Sequence, residues 1–179
     1  MSKEIHLIDK DFVPYISEEK ILARVKVLSS QIRADYGTNN VLFLSVLNGS
    51  FMFTSDLMKN MDGEVELSFI KLSSYEGTST SGKVHELIGL NQNIQGRHIV
   101  VLEDIVDTGL TVQRVITMLK MQNPLSIEVC TLLYKPEAFK GDTAPKYFGF
   151  KIPNKFVVGY GLDYDQLGRN FNEIYQLKD

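Results

Sequence analysis

Residues 100–111 read Val100-Val101-Leu102-Glu103-Asp104-Ile105-Val106-Asp107-Thr108-Gly109-Leu110-Thr111. An apolar run with the character of a buried strand ends on two neighbouring carboxylates, Glu103 and Asp104. A third acid, Asp107, precedes the small residues Thr108 and Gly109, and then Val112, Val115, Ile116 and Leu119 recur at helical spacing. Strand, turn and helix in that order describe the carboxyl end of a parallel strand, where α/β folds place their ligands. Backbone N–H groups at the helix start, with the Thr108 and Thr111 hydroxyls, suit a phosphate monoester without any Lys or Arg. The acids need donors of their own. A sugar diol and a bound Mg²⁺ supply them, so a sugar phosphate with a metal fits the stretch better than phosphate alone. A single Asp or Thr ahead of a helix is common cap chemistry; the combination with Glu103 and Asp104 is what separates this stretch from an ordinary cap.

Outward from that stretch the chain alternates strand and helix. Ile21, Val25, Leu28 and Ile32 mark a first helix, with Ser17 as its N-cap, Glu18 and Glu19 in its first turn and Gly37 as its stop. Val41 to Leu47 (VLFLSVL) is a short, almost wholly apolar run, as expected of a strand covered on both faces. Asn48-Gly49-Ser50 breaks it, and a second helical stretch covers Phe51 to Met61. Further strands are predicted over 65–72, 84–88, 99–102, 127–134 and 156–161. Residues 73–83, rich in Ser, Thr and Gly, have little to bury and read as a functional loop. The whole predicts one α/β domain over 1–179, with a central, mostly parallel sheet flanked by helices.

Composition sets limits on function. The chain has 179 residues, 44% hydrophobic and 23% charged, with a net charge of −3 and no run of like charges, which disfavours nucleic-acid and membrane partners. The lone cysteine, Cys130, excludes an internal disulfide framework and suits a reducing, cytoplasmic setting. It sits mid-strand and reads as a small buried hydrophobe. The N-terminus turns polar too soon for a signal peptide, and no apolar run reaches membrane-spanning length. His6, His85 and His98 lack metal-ligand spacing. Met52, Met58, Met61, Met118 and Met121 fall on helical stripes and read as core.

Two further motifs are decoys. Gly77-Thr78-Ser79-Thr80-Ser81-Gly82-Lys83-Val84 approaches a P-loop, but Val84 lacks the hydroxyl that would hold Mg²⁺ and no helix start follows. Gly159-Tyr160-Gly161 lacks the third glycine and the helix of a dinucleotide fingerprint.

VVLEDIVDTGLT resembles the phosphoribosyl-pyrophosphate (PRPP) signature of type I phosphoribosyltransferases. The resemblance to the purine salvage branch of that family runs from about residue 41 to 170. Leu47-Asn48-Gly49-Ser50 lies where the branch has its pyrophosphate loop, and Ser74-Tyr75 where its flexible lid has a Ser-Tyr pair. Lys135-Pro136 ends a strand as the base-recognition lysine does. Residues 152–164 (IPNKFVVGYGLDY) are close to the hallmark segment of the branch, and Arg169 follows at the familiar interval.

The resemblance implies transfer of a 5-phosphoribosyl group from PRPP to a 6-oxopurine, hypoxanthine and also guanine, with release of pyrophosphate. It implies that Glu103 and Asp104 hold the ribose hydroxyls and that Asp107, Thr108, Gly109, Leu110 and Thr111 hold the 5′-phosphate. By the same resemblance Asp107 would assist proton transfer at the purine. Leu47, Asn48, Gly49, Ser50 and Arg169 would bind pyrophosphate, with the Leu47–Asn48 peptide in cis. Asp163, with Glu103 and Asp104, would serve Mg²⁺. Phe156 would stack on the base, Lys135 would donate to its C6 oxygen, the Val157 backbone would read the N1/C2 edge, and Asp163 would border the base pocket. A small hood is implied, formed by the N-terminal segment and roughly 145–179, as is a homodimer or homotetramer. Two positions depart from the pattern: Asn48 stands where many relatives have Lys, and Gly168 where relatives often have an aromatic. The competing readings are a PRPP-sensing RNA-binding regulator of the same fold and a P-loop-like nucleotide hydrolase. The acidic net charge and the Lys135, Phe156 and Asp163 set count against the regulator, and Val84 with the missing helix start counts against the hydrolase.

Overall fold

The computed structural model describes residues 3–37, 39, 41–72, 86–88, 90 and 92–178. Its elements are β1 (Ile5–Leu7), β2 (Lys10–Ile16), α1 (Glu18–Tyr36), β3 (Val41–Val46), α2 (Phe51–Lys59), β4 (Glu66–Leu72), β5 (Glu86–Ile88), β6 (His98–Val106), α3 (Leu110–Lys120), β7 (Ser126–Tyr134), β8 (Tyr147–Lys151), β9 (Val157–Val158) and β10 (Ile174–Leu177).

A central six-stranded sheet runs in the order β5-β4-β3-β6-β7-β8. The pairs from β4 through β8 are parallel, and only β5 is antiparallel to its neighbour. Because successive strand side chains point to opposite faces, each central strand feeds two cores. Phe43, Val100 and Leu102 pack with Ile21, Val25, Leu28, Phe53 and Leu57 on the face covered by α1 and α2. Leu42, Leu44, Ile99 and Val101 pack with Val112, Val115 and Leu119 on the face covered by α3. Two-sided burial is the reason the sequence of β3 shows no polar alternation.

A second sheet of four antiparallel strands, β1-β2-β10-β9, forms the hood. Its C-terminal share begins at Val157 rather than near residue 145, because β8 joins the central sheet through Cys130–Tyr147 and Leu133–Phe150 register. Tyr147 turns into the α1-side core, which is what draws this segment off the hood.

The α1 helix stops at Gly37, as its sequence predicts, where φ is 60°. Other details differ from expectation for local reasons. Ser17 makes no side-chain cap; its hydroxyl instead holds the Glu19 carboxylate below the usual range. The strand expected over 156–161 shortens to Val157–Val158, since Gly159, Tyr160 and Gly161 all have positive φ. Met121 caps α3 from outside and is 74% exposed, so it does not belong to the core. Cys130 is buried, and burial raises its thiol pKa, as a small core residue requires. Among the described residues no helix is long and apolar enough to cross a membrane. His85, Ser74, Tyr75, the 73–83 loop and the P-loop-like stretch with Lys83 lie outside the described residues.

Candidate active site

The site grows from the end of β6. The strand does not stop at the two acids but runs through them to Val106, because β7 continues alongside: Glu103 aligns with Thr131, Ile105 with Leu133 and Val106 with Tyr134. Both carboxylates are therefore carried on a rigid strand rather than on a loop. Glu103 is 5% exposed, and its Oε1 is buried with no hydrogen-bond partner. Burial, reinforced by neighbouring Asp104, holds its carboxyl well above the usual range. Asp104 accepts from the Ile105 N–H at 2.8 Å. Burial pushes its pKa up to about 6, against the lowering effect of backbone N–H groups and Arg169. Of the two acids, Glu103 is the one left with a buried oxygen that no described residue donates to.

Beyond the acids, Asp107, Thr108 and Gly109 turn the chain into α3. Gly109 has φ 84°, and a Cβ there would fall 2.5 Å from the Phe139 ring, so both conformation and space call for glycine. The turn leaves the first N–H groups of α3 without helical acceptors. At this turn lies a cavity of 240 Å³ lined continuously by residues 103–112. A larger cavity of 730 Å³ lies beside α3, between Ile70, Leu110, Arg114 and Met118. Among the described residues no carboxylate lines it, whereas Glu103, Asp104 and Asp107 line the smaller one.

The 47–50 loop reaches the acids from β3. The Leu47–Asn48 peptide is cis. Beneath the loop, Ser45 Oγ contacts both Ser50 Oγ and Thr54 Oγ1 at 2.7 Å, and Ser50 Oγ donates to the Val46 carbonyl. This buried hydroxyl group ties the end of β3 to the first turn of α2. Gly49 lies directly on Asp104: a Cβ on Gly49 would collide with Asp104 Oδ2. On its other side the Gly49 carbonyl oxygen occupies the space that a Gly161 Cβ would need. The Gly161 carbonyl in turn accepts from Arg169 Nη1 at 2.8 Å, and Arg169 Nη2 pairs with Asp163 Oδ1 at 2.7 Å. Gly49, Asp104, Gly161, Asp163 and Arg169, from three distant segments, thus meet as one cluster. In the sequence Gly161 reads only as part of an incomplete glycine fingerprint and of the 152–164 segment; its φ of 99° and the crowding against Gly49 explain the second glycine of GYG.

The base-recognition candidates have burial opposite to what their residue types suggest. Lys135 is 6% exposed and donates from Nζ to Asp107 Oδ2 at 2.7 Å. Phe156 is 45% exposed, with its ring centroid 6.2 Å from that of Phe12 and 5.8 Å from that of Tyr164. Val157 is buried in β9 and aligned with Gln176 of β10.

Among the described residues no group of three His, Cys, Asp or Glu could hold a metal ion by itself. Mg²⁺ commonly takes one or two carboxylates and fills its remaining positions with water and substrate phosphate oxygens. Asp163 next to Arg169, and Glu103 with its unpartnered oxygen beside Asp104, fit such a partial set.

Two acids on the end of a parallel strand, a glycine turn into a helix and a buried lysine on a half-exposed acid make this the site of an α/β fold at the carboxyl end of its sheet. The phosphoribosyl transferase domain model matches residues 16–165, and the chain belongs to that family. It is 40% identical over 164 residues to a hypoxanthine-guanine phosphoribosyltransferase of Streptococcus mutans, covering 91% of each chain. A hypoxanthine-guanine phosphoribosyltransferase of Bacillus anthracis, solved with HEPES in its active site, superposes with a TM-score of 0.85 at 39% identity, covering 93% of this chain and 97% of that one. A hypoxanthine phosphoribosyltransferase of Staphylococcus aureus superposes with a TM-score of 0.86 at 39% identity, covering 93% and 91%. The chain is a transferase of PRPP-dependent purine salvage.

Proposed function

We propose that the protein transfers the 5-phosphoribosyl group of PRPP to hypoxanthine and guanine, giving IMP and GMP with pyrophosphate. The observation that carries the reading is Glu103 Oε1, a buried carboxylate oxygen with no partner beside Asp104. An unpaired buried acceptor costs stability, and ribose hydroxyls are donors of the right kind. The names of the relatives and the position of Lys135 supply the 6-oxopurine.

In this reading the 5′-phosphate sits on the N–H groups at the start of α3, with the Thr108 and Thr111 hydroxyls. Glu103 and Asp104 orient the diol. The bond from C1′ to pyrophosphate breaks as the bond to the purine nitrogen forms, through an oxocarbenium-like transition state, and the purine gives up a proton. Asp107 takes part in that proton transfer, which is typically worth ~10²–10⁴ in rate. Lys135, already on Asp107, donates to the C6 oxygen, and Phe156 stacks on the ring. Asn48, Gly49, Ser50 and Arg169 receive pyrophosphate. Asp163, Glu103 and Asp104 would hold Mg²⁺, which when bound offsets the charge of the leaving group. Ser74 and Tyr75 belong to a lid that keeps water from the reacting centre. The reading includes a homodimer or homotetramer in the cytoplasm.

The test is to mix the protein with PRPP, Mg²⁺ and hypoxanthine and to follow IMP. Turnover is expected, retained in Lys83→Ala and lost by roughly a hundredfold or more in Asp107→Ala. Absence of turnover together with tight RNA binding would overturn the reading in favour of a regulator.

A further inference from the structure

Phe156 is exposed enough to stack on a ligand, yet it stands just ahead of β9, a strand of only two residues, Val157–Val158. Something other than that strand must fix its ring. Two aromatic side chains do so. Phe12, fully buried in β2, lies at 6.2 Å with the planes tilted by 43°. Tyr164 meets Phe156 edge-on at 5.8 Å and 83°, and it also lies 6.2 Å from Phe12, closing a triangle.

Tyr164 is itself held at both ends. Its hydroxyl donates to Asp9 Oδ1 at 2.7 Å, on the turn between β1 and β2, and Lys10 Nζ stands 5.7 Å from its ring centroid. Its backbone exchanges hydrogen bonds with Leu167 at 2.9 and 3.0 Å. The same turn of chain is anchored by Gly168, whose φ is 91° and which lies where a Cβ would come 2.9 Å from Leu7 Cδ1 of β1. The glycine that departs from the family pattern is thus the place where the N-terminal hairpin closes on this loop.

We propose that Tyr164, locked by Asp9, is a positioning residue for the purine: it holds the Phe156 ring in the orientation in which the base stacks. The inference rests on the reading of Phe156 as the base-stacking residue. A ring fixed in advance does not have to be immobilised when the base arrives, and immobilising such a side chain lowers affinity by about 2- to 10-fold. The contact does not extend to the reacting atoms, so it acts on base binding and leaves the chemical step alone.

Steady-state kinetics on the full-length protein test this, with IMP formation read against hypoxanthine and PRPP separately. Tyr164→Ala is expected to raise KM for hypoxanthine by about 5- to 10-fold, with kcat and KM for PRPP within about twofold. Tyr164→Phe, which keeps the edge contact, and Asp9→Asn are each expected to raise it only about 2- to 3-fold, and by no more when combined. In a Phe156→Leu background, Tyr164→Ala is expected to add nothing, since its effect passes through Phe156. A KM for hypoxanthine unchanged in all Tyr164 and Asp9 variants, or additive effects of Tyr164→Ala and Phe156→Leu, would overturn the proposal while the stacking role stands. If Phe156→Leu itself leaves KM for hypoxanthine unchanged, the stacking reading fails and the proposal falls with it. Thermal unfolding of Tyr164→Phe and Asp9→Asn close to that of the parent separates positioning from general loss of the hood.

Discussion

Lys135 Nζ donates to Asp107 Oδ2 at 2.7 Å, joining the end of β7 to the turn before α3. The two partners are unequally exposed: the lysine side chain is nearly buried, whereas the aspartate side chain is 42% exposed. The ammonium is therefore held at the site in the absence of a base, with one proton donor already engaged and the others free to meet a ligand oxygen.

Removing that lysine is expected to cost selectivity more than stability. Lys135→Met leaves Asp107 facing water, so no buried charge is stranded. A hydrogen bond from a charged donor is worth about 1.5–3 kcal/mol, so kcat/KM for hypoxanthine is expected to fall roughly 10- to 150-fold, with KM for PRPP little changed. Initial rates against both substrates check this, and adenine in place of hypoxanthine shows whether the preference for an oxygen at C6 has weakened.

Asp104 predicts a pH dependence of the free protein. Its pKa rises from an ordinary aspartate value to about 6 in the folded chain. The folded state then binds the proton more tightly than the unfolded state, and folding stability falls as pH climbs from about 4 towards 6. Above that range the folded chain carries the full penalty, on the order of 1–3 kcal/mol. Asp104→Asn is expected to raise the Tm at about pH 8 by several degrees, about 2–4 °C per kcal/mol for a chain of this size. The gain should vanish near pH 4, roughly the unperturbed value, while transferase activity falls about tenfold or more at every pH. Scanning calorimetry across that range, beside an activity assay, separates the two effects.

Gly49→Ala introduces a methyl group into the space that Asp104 Oδ2 already fills. Neither backbone can yield easily, since the Gly49 carbonyl is also crowded against Gly161. Asp104 has to rotate away, so KM for PRPP is expected to rise by roughly tenfold or more, with a stability cost of about 1–3 kcal/mol. Titration with PRPP, together with urea unfolding, measures both.

Asn48→Lys places a cation beside the 47–50 loop, where many relatives have one. A mobile surface charge acts weakly and is screened by salt. Inhibition by pyrophosphate is expected to tighten about 2- to 5-fold at low ionic strength and to return to the parent value at high salt. Product-inhibition kinetics at two salt concentrations decide it.

The parallel sheet was legible because β3 and β6 are buried on both faces, and a run such as VLFLSV could not keep one face in water. The acids and the DTG turn were legible because their residue types make sense only together. The hood strands were not. β2 reads KDFVPYI, with two charges and a proline, and β10 reads IYQL; each is a strand through pairing with segments distant in sequence or too short to read alone. The extent of β6 was hidden for the same reason, its last residues being supported by β7. Burial at the base site could not be read residue by residue, since a strand-end lysine is ordinarily solvated and a strand phenylalanine ordinarily buried, and here both are reversed. The cluster around Gly49 and Gly161 is a contact between backbones, which leaves no trace in side-chain chemistry.

The strand that completes the hood lies far along the chain from the hairpin it joins. In the order β1-β2-β10-β9, β10 stands between the N-terminal hairpin and the segment bearing Val157. The central sheet that carries Glu103, Asp104 and the DTG turn takes no strand from it. During synthesis that sheet can assemble before β10 has been made, so the acids and the turn are in place ahead of the sheet that frames Phe156.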